Sequence, residues 1–349
     1  MNRDSADVAI IGAGVSGLAA AWRLSQAGIH SVIFEKSRGL SGRAATRRKH
    51  GHHYDHGANF FRLDDPVVNH LIRHELPSDG LAEIPGDVHT FDAFGNITPG
   101  DPAQNAVPKW TYRDGISSLG KKLLQASPLT EVVRETRITR IKSVEGIWRA
   151  SDQNGNPFGP WKHLLITIPP PQALDLLRES DIAADRLKWL EIIPYHSQFS
   201  FILGYDHPPL PDRGFHALVN TDGAHPLAWL SFEEDKPGHI GNGASIIIAQ
   251  MSPDWTARHD DTPSESLVPE VAHHAGTLLQ TALPQPDWWD SQRWRYAHPV
   301  RDSAPILDHL LSSAPHGLHF AGDGMVGKGR VPLAIKTGLD AAERIIAMS

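Results

Sequence analysis

An α/β fold built on a parallel sheet, with an α+β unit inserted into it, is the class this sequence predicts. Three observations predict it. A short apolar run, Asp7 to Ile11, leads into a glycine-rich turn and then an alanine-rich stretch. Two later apolar runs, Leu164 to Ile168 and Leu318 to Ala321, have the same unbroken character. Between them, from Pro171 to about Pro299, strand-like and helix-like stretches mix. Strands buried on both faces read as continuous apolar runs, whereas half-solvated strands alternate.

Taken in order, Asp7–Ile11 is the first strand and Leu18–Ala27 the first helix, closed by Gly28. Ser31–Phe34 makes the second strand and ends at Glu35, completing a βαβ unit. The segment Pro77–Pro108 is rich in proline and glycine and reads as an irregular excursion with short strands. Thr136–Ile141 and Gly146–Ser151 alternate as strands, and Leu164–Ile168 is stopped by Pro169, Pro170 and Pro171. Ser200–Leu203 and Ala244–Ala249 read as strands, Leu267–Leu283 as a helix, and Val331–Met348 as a closing amphipathic helix. The pattern divides the chain into a nucleotide-binding unit of three segments (1–65, 112–168, 300–349) and a second unit (66–111, 169–299).

The composition excludes several classes of function. The 349 residues are 40% hydrophobic, enough for a large core, and the net charge of −7 is spread without blocks. No basic stripe supports a nucleic-acid partner. No apolar run is long enough to cross a membrane. The first strand begins after about six residues, so no signal peptide and a cytoplasmic location are expected. Cysteine is absent, which removes disulfides, thiolate metal sites, redox cysteine pairs and a cysteinyl link to a cofactor. Redox chemistry in such a chain belongs to a bound group.

Gly12-Ala13-Gly14-Val15-Ser16-Gly17 matches G-x-G-x-x-G between a strand and a helix, the dinucleotide-binding arrangement of a Rossmann-type unit. The first glycine permits the tight turn, and the second lets backbone approach a diphosphate. The third lets helix and strand pack closely, while the helix N-terminus offers free N–H groups. Glu35, ending the second strand, stands where an acid accepts ribose hydroxyls.

Lys36-Ser37-Arg38-Gly39-Leu40-Ser41-Gly42-Arg43 resembles the second glycine-rich stretch of glutathione-reductase-type flavoproteins, the amine-oxidase superfamily above all. There such a segment runs beside the diphosphate and ribityl chain of FAD. Gly322-Asp323, between the last strand and the closing helix, matches a third element of those proteins. The resemblance places Asp323 on the ribityl chain or diphosphate and the helix N-terminus near Val331 at the flavin O2 and N1. Noncovalent FAD is the expected cofactor.

Five further stretches are similar to renalase-type flavoproteins: Phe34–Gly39, Tyr54–Phe61, Pro169–Ala173, Arg293–Ala297 and Gly329–Val331. The resemblance implies a p-hydroxybenzoate-hydroxylase-like FAD-binding domain with an inserted α+β substrate domain. It also implies oxidation of the 2- and 6-dihydro isomers of NAD(P)H by hydride transfer to flavin N5, with oxygen reduced to hydrogen peroxide. The expected cofactor-binding set is Gly12, Ala13, Gly14, Ser16, Gly17, Glu35, Lys36, Gly42, Arg43, Ala58, Asn59, Phe60, Ile138, Gly322, Asp323, Arg330 and Val331. Within it, Ile138 offers backbone groups to adenine, and Arg43, Asn59 and Phe60 line the flavin or the space before it. Three positions depart from the family: Ser41 replaces a glycine, Gly324 stands where an aromatic often follows Gly-Asp, and Pro332 stands where an acid is expected. The Gly324–Gly329 loop is one residue longer.

Aromatisation drives hydride loss from a dihydropyridine, so no general base is assigned. Asn59, Phe60, Tyr296 and Arg330 are the pocket and flavin-tuning residues expected. Phe61 and Trp294 are further candidates for a flat wall around the donor, and Lys328 for stabilising flavin charge. The alternative for each aromatic is ordinary core, and for Lys328 a solvated loop. The run His50, His52, His53 and His56 lacks a helical pairing with a carboxylate, so no metal site is expected. His273-His274 reads as surface. Two other functions fit the class: an amine oxidase, which needs an aromatic cage that five tyrosines scarcely supply, and a non-catalytic flavin-binding protein.

Overall fold

The computed structural model describes residues 6–180, 182, 188–210, 213–241, 243–300 and 307–349. The approach to the first strand (1–5) and the start of the expected third segment (301–306) lie outside them.

Five parallel strands form the sheet that carries the glycine-rich turn. Their order is Leu318–Phe320, His163–Ile166, Val8–Ile11, Ser31–Phe34, Thr130–Val133. Every residue of the first two strands in the chain, Val8–Ile11 and Ser31–Phe34, is buried, which is why they read as unbroken apolar runs. The first helix, Val15–Gln26, starts three residues earlier than the alanine-rich stretch suggested, because Gly14 in extended conformation caps it directly. It packs with the closing helix, Val331–Ile346, over one face of the sheet. Those two helices approach closely: a Cβ on Gly338 would lie 2.1 Å from the Ser16 carbonyl oxygen.

The other face is covered by an antiparallel meander (Ile138–Val144, Ile147–Asp152, Pro157–Trp161) and by the helix Pro170–Glu179. That helix was expected in the second unit. Its Ala173, Leu174, Leu176 and Leu177 instead share a core with the parallel sheet, since three prolines turn the chain straight back over the strand it leaves. Val68, Leu71, Ile72 and Leu76, also assigned to the second unit, likewise pack in the core under the first helix.

A seven-stranded sheet forms the second layer system, in the order Trp288–Pro299, Tyr195–Tyr205, Ser245–Met251, Leu227–Phe232, Phe215–Asn220, Asp87–Phe91, Ile97–Thr98. The proline- and glycine-rich excursion thus supplies its edge. The helices Pro253–Arg258 and Ser264–Leu278 pack on one side; the second runs earlier and stops earlier than the predicted Leu267–Leu283. No helix among the described residues is long and apolar enough to cross a membrane.

Candidate flavin site

The glycine-rich turn is shaped by its neighbours. Gly12 holds a φ of +108°, and a Cβ there would meet Thr167 Oγ1 at 2.9 Å. A Cβ on Gly17 would lie 2.2 Å from the Gly12 carbonyl oxygen, so the helix cannot approach the turn with any larger residue. At Gly14 nothing lies within 4 Å of that position. Two glycines are demanded by packing and the middle one faces open space, the arrangement a diphosphate cradle requires. Thr167, which no sequence motif marks, places its single hydroxyl donor 3.0 Å from both the Ile11 and Gly12 carbonyls.

Beside the turn lies a cavity of ≈ 130 Å³ lined by Gly12, Glu35, Lys36, Arg137, Ile138 and Gln172 among others. This brings Glu35 and Ile138 to one space, as a ribose and adenine subsite needs. Glu35 does more than face it: its Oε2 accepts from Ala13 N at 2.9 Å and its Oε1 from Ser37 N at 2.7 Å. Each oxygen keeps a lone pair for a hydroxyl. The open cradle and this cavity fit the AMP half of FAD.

The second glycine-rich stretch runs alongside. Ser41 N donates to the Ala13 carbonyl at 2.8 Å, and a Cβ on Gly42 would lie 3.2 Å from Gly14 Cα. Ser16 and Thr337 join the first and closing helices side chain to side chain at 3.4 Å, and Thr337 Oγ1 accepts from Gly322 N at 2.9 Å.

Asp323 was expected to reach the cofactor. Its carboxylate is held by protein: Arg43 donates to Oδ1 and Oδ2 at 2.7 and 2.8 Å, and the Tyr195 hydroxyl donates to Oδ1 at 2.8 Å. Burial works against the Arg43 charge, but Asp323 overrides it and holds the guanidinium pKa above its ordinary value. Burial and the same carboxylate push the Tyr195 phenol up. Tyr195 also explains Gly324. A Cβ there would lie 2.5 Å from Pro170 Cγ and 2.9 Å from the Tyr195 hydroxyl, so an aromatic has no room.

From Arg43 the chain passes through the hairpin Thr46–Lys49/His52–Asp55 to the segment His56–Phe61. The second sheet pins that segment. Trp294 Nε1 donates to the His56 carbonyl at 2.8 Å, Gln250 Nε2 to the Gly57 carbonyl at 2.7 Å, and Ser231 Oγ to Asn59 Oδ1 at 3.1 Å. Ala58 N closes back on the Arg43 carbonyl at 2.9 Å. Phe60 is half-buried, 5.9 Å from the Trp229 ring. Tyr296 stands edge-on to Tyr195 at 6.3 Å. Phe61, by contrast, is a core residue, 2% exposed against Tyr112, because residues alternate across its bridge to Trp110. Trp294 stacks on His56 at 5.3 Å, so its ring braces backbone.

Arg330 is exposed and forms the N-cap of the closing helix without a side-chain cap bond. Val331 and Pro332 begin its first turn, where proline's fixed φ suits a helix start. Pro332 offers no N–H, so that turn brings one donor fewer to the space before it. Lys328 is exposed.

Of the four histidines in the run, His50 stacks on Trp288 at 4.6 Å, and burial drives the His56 imidazole down to about 3. The group of metal-type ligands among the described residues lies elsewhere, at Asp55, Glu233 and His239, all buried. An ammonium already fills it: Lys236 Nζ lies 2.7 Å from Glu233 and 3.1 Å from Asp55. His239 donates from Nδ1 to Glu233 at 2.8 Å and from Nε2 to the Tyr112 carbonyl at 3.0 Å. Both partners only accept, so the ring carries both protons. Burial opposes that charge, and Asp55 and Glu233 raise the His239 pKa despite it. Burial would raise Glu233, but Lys236 and His239 hold it down to about 2. Two anions and two cations balance in a dry seam between the two layer systems.

A family model described as flavin containing amine oxidoreductase matches residues 94–346, and one for an NAD(P)-binding Rossmann-like domain matches residues 10–74. The chain belongs to the flavin-containing amine oxidoreductase family, an oxidoreductase family with a flavin cofactor. It is similar to protoporphyrinogen oxidase 2 (chloroplastic/mitochondrial) of Arabidopsis thaliana, 38% identical over 65 residues, 19% of this chain and 13% of that protein. It is also similar to methylenetetrahydrofolate–tRNA-(uracil-5-)-methyltransferase TrmFO of Rhodopseudomonas palustris (strain BisB18), 25% identical over 249 residues, 70% and 42% of the two chains. The alignments therefore span less than half the length of both proteins. Among solved structures, one designated a protoporphyrinogen oxidase, from Exiguobacterium sp. 255-15, superposes with a TM-score of 0.82 at 16% identity over 99% of this chain and 100% of that one. Cyclohexylamine oxidase from Brevibacterium oxydans IH-35A gives 0.73 at 16% identity over 98% and 99%. At such identities these structures establish the fold.

Proposed function

We propose that the protein is an FAD-dependent oxidoreductase of renalase type that oxidises the 2- and 6-dihydro isomers of NAD(P)H. One observation carries the reading. The acid–base groups beside the aromatic part of the site are committed: Asp323 to Arg43 and Tyr195, and His56, neutral and buried, to stacking on Trp294. Among the described residues that leaves the ring pairs Phe60–Trp229 and Tyr195–Tyr296, with His298, whose Nδ1 faces the Pro299 carbonyl at 3.3 Å, the imidazole on which the Asp323 charge acts.

Such a site suits a donor that loses hydride directly. When bound, FAD would supply a two-electron acceptor for the hydride of the donor, which becomes an aromatic pyridinium, and oxygen would then take the two electrons as hydrogen peroxide. The chain's own part is placement. Glu35 and the Gly12–Gly17 turn hold the AMP half, the pinned His56–Asn59 backbone forms a stiff floor, and the aromatic rings exclude water and stack on the donor.

The family and the Tyr195–Tyr296 pair support a second reading, an amine oxidase; the fold brings together two tyrosines that lie far apart in the chain. Anaerobic stopped-flow mixing separates the readings. The flavin band should bleach at least about 10²-fold faster with a 2- or 6-dihydro isomer than with 4-dihydro NADH or biogenic amines, since misplacing the donor carbon by about 1 Å costs that much. Equal rates for all isomers, or rapid bleaching by an amine, would decide for the amine-oxidase reading.

A further inference from the structure

The helix Pro170–Glu179 walls the cavity beside the glycine-rich turn. Gln172, Asp175, Leu176 and Glu179 line that cavity, and their i, i+3, i+4, i+7 spacing puts all four on one helix face. Ala173, Leu174 and Leu177, on the other side of the helix, are buried over the parallel sheet. Both ends of the helix are fastened. Lys36 Nζ donates to Gln172 Oε1 at 3.4 Å in the first turn, and Ile141 N donates to Ser180 Oγ at 2.9 Å just past the last. Ile141 belongs to the strand Ile138–Val144, so the helix is tied to the strand whose Ile138 lines the same cavity. Phe34, Ile138, Ile168 and Leu176 give the cavity apolar surfaces that suit a flat base. The helix adds a polar reader. Among the described residues the Asp175 carboxylate has no hydrogen-bond or ion-pair partner, and an ionised carboxylate only accepts, so what meets it there must donate.

We propose that this helix face reads the base of the bound nucleotide, with Asp175 accepting from the amino group of adenine and so rejecting hypoxanthine, which carries an oxygen in its place. The inference deepens the reading above and rests on it for FAD as the occupant. It adds a selection that Glu35 and the Gly12–Gly17 turn do not provide, because those groups meet ribose and diphosphate, which all dinucleotides share. Hypoxanthine would turn its oxygen toward the carboxylate with no proton between the two acceptors, and one unmade bond to a charged group is enough to discriminate. A helix fastened at both ends holds that carboxylate in place before the base arrives.

The test uses the full chain freed of flavin, with ADP and IDP titrated by calorimetry and FAD followed by quenching of its fluorescence. ADP should bind about 10-fold more tightly than IDP, roughly the loss of one hydrogen bond to a charged group. Asp175→Asn can donate to the oxygen as readily as accept from the amino group, so the ratio should fall below about threefold. Glu179→Gln removes the same charge from the same face and should keep the ratio within about twofold of wild type, since a field acting through water is weak. Equal affinities for ADP and IDP in wild type, a ratio unchanged in Asp175→Asn, or an equal fall in Glu179→Gln would each overturn the assignment. FAD binding without any base preference would leave the FAD reading standing and remove Asp175 from it. An Asp175-dependent preference for ADP in a chain that binds no FAD would do the reverse.

Discussion

Ser41 holds a φ of +78°, a conformation that favours glycine. The serine that replaces a family glycine has therefore not changed the turn, and its side chain is accommodated by two other residues. Its Oγ donates to the Ser117 carbonyl at 2.8 Å. Gly120 leaves the space, since a Cβ there would lie 2.1 Å from Ser41 Oγ. Gly120→Ala should lower stability by about 1–2 kcal/mol in urea unfolding despite alanine's better helix propensity, and Ser41→Gly should restore most of the loss. Additive effects in the double variant would show that the two positions are not coupled. The departure itself was legible in the sequence, but its compensation was not, because Gly120 is remote in the chain and nothing local marks it. Gly324 has the same history: the missing aromatic was visible, but the packing of Pro170 and the Tyr195 hydroxyl that excludes it was not.

At the scale of elements, the strands and helices that bind the nucleotide were legible because each carries its own periodicity and turn chemistry. The seam that steadies the segment His56–Phe61 was not. Its donors, Ser231, Gln250 and Trp294, are single polar or aromatic residues on strands of the second sheet. The charged quartet was missed for the same reason: Glu233 and Lys236 sit in a short turn that reads as surface until Asp55 and His239 fold onto it. The helix Pro170–Glu179 was misplaced because three prolines mark a chain turn without saying over which layer it runs. Lys236→Met should cost about 3–5 kcal/mol, since it strands two carboxylates in a dry site. Chemical denaturation measures this, and a loss below about 1 kcal/mol would mean that the seam is wet.

For the whole molecule, buried histidines pull the pH profile in opposite directions, His56 and His319 one way and His239 the other. His319 lies 3.1 Å from His163, and burial first, then His163, press its pKa from 6.5 to about 4. The folded state thus prefers it neutral: its contribution is complete above pH 6.5 and lost as pH falls towards 4. At that separation the loss amounts to about 3 kcal/mol. His239 is the reverse case, its stabilisation complete below its ordinary value of 6.5 and lost as pH rises through the raised folded value. Thermal unfolding against pH should therefore show an acid limb that His319→Asn flattens, and an acid limb unchanged in that variant would contradict the assignment. The central claim, that the Gly12–Gly17 turn and Glu35 hold a noncovalent FAD, is tested most directly by the visible spectrum of the purified protein together with acid precipitation. The account predicts a yellow protein that releases FAD to the supernatant, and a Glu35→Ala variant that retains FAD more weakly by about 1–3 kcal/mol on dilution. A protein that takes up no FAD, flavin that stays with the precipitate, or a Glu35→Ala variant that retains it like wild type would contradict the claim.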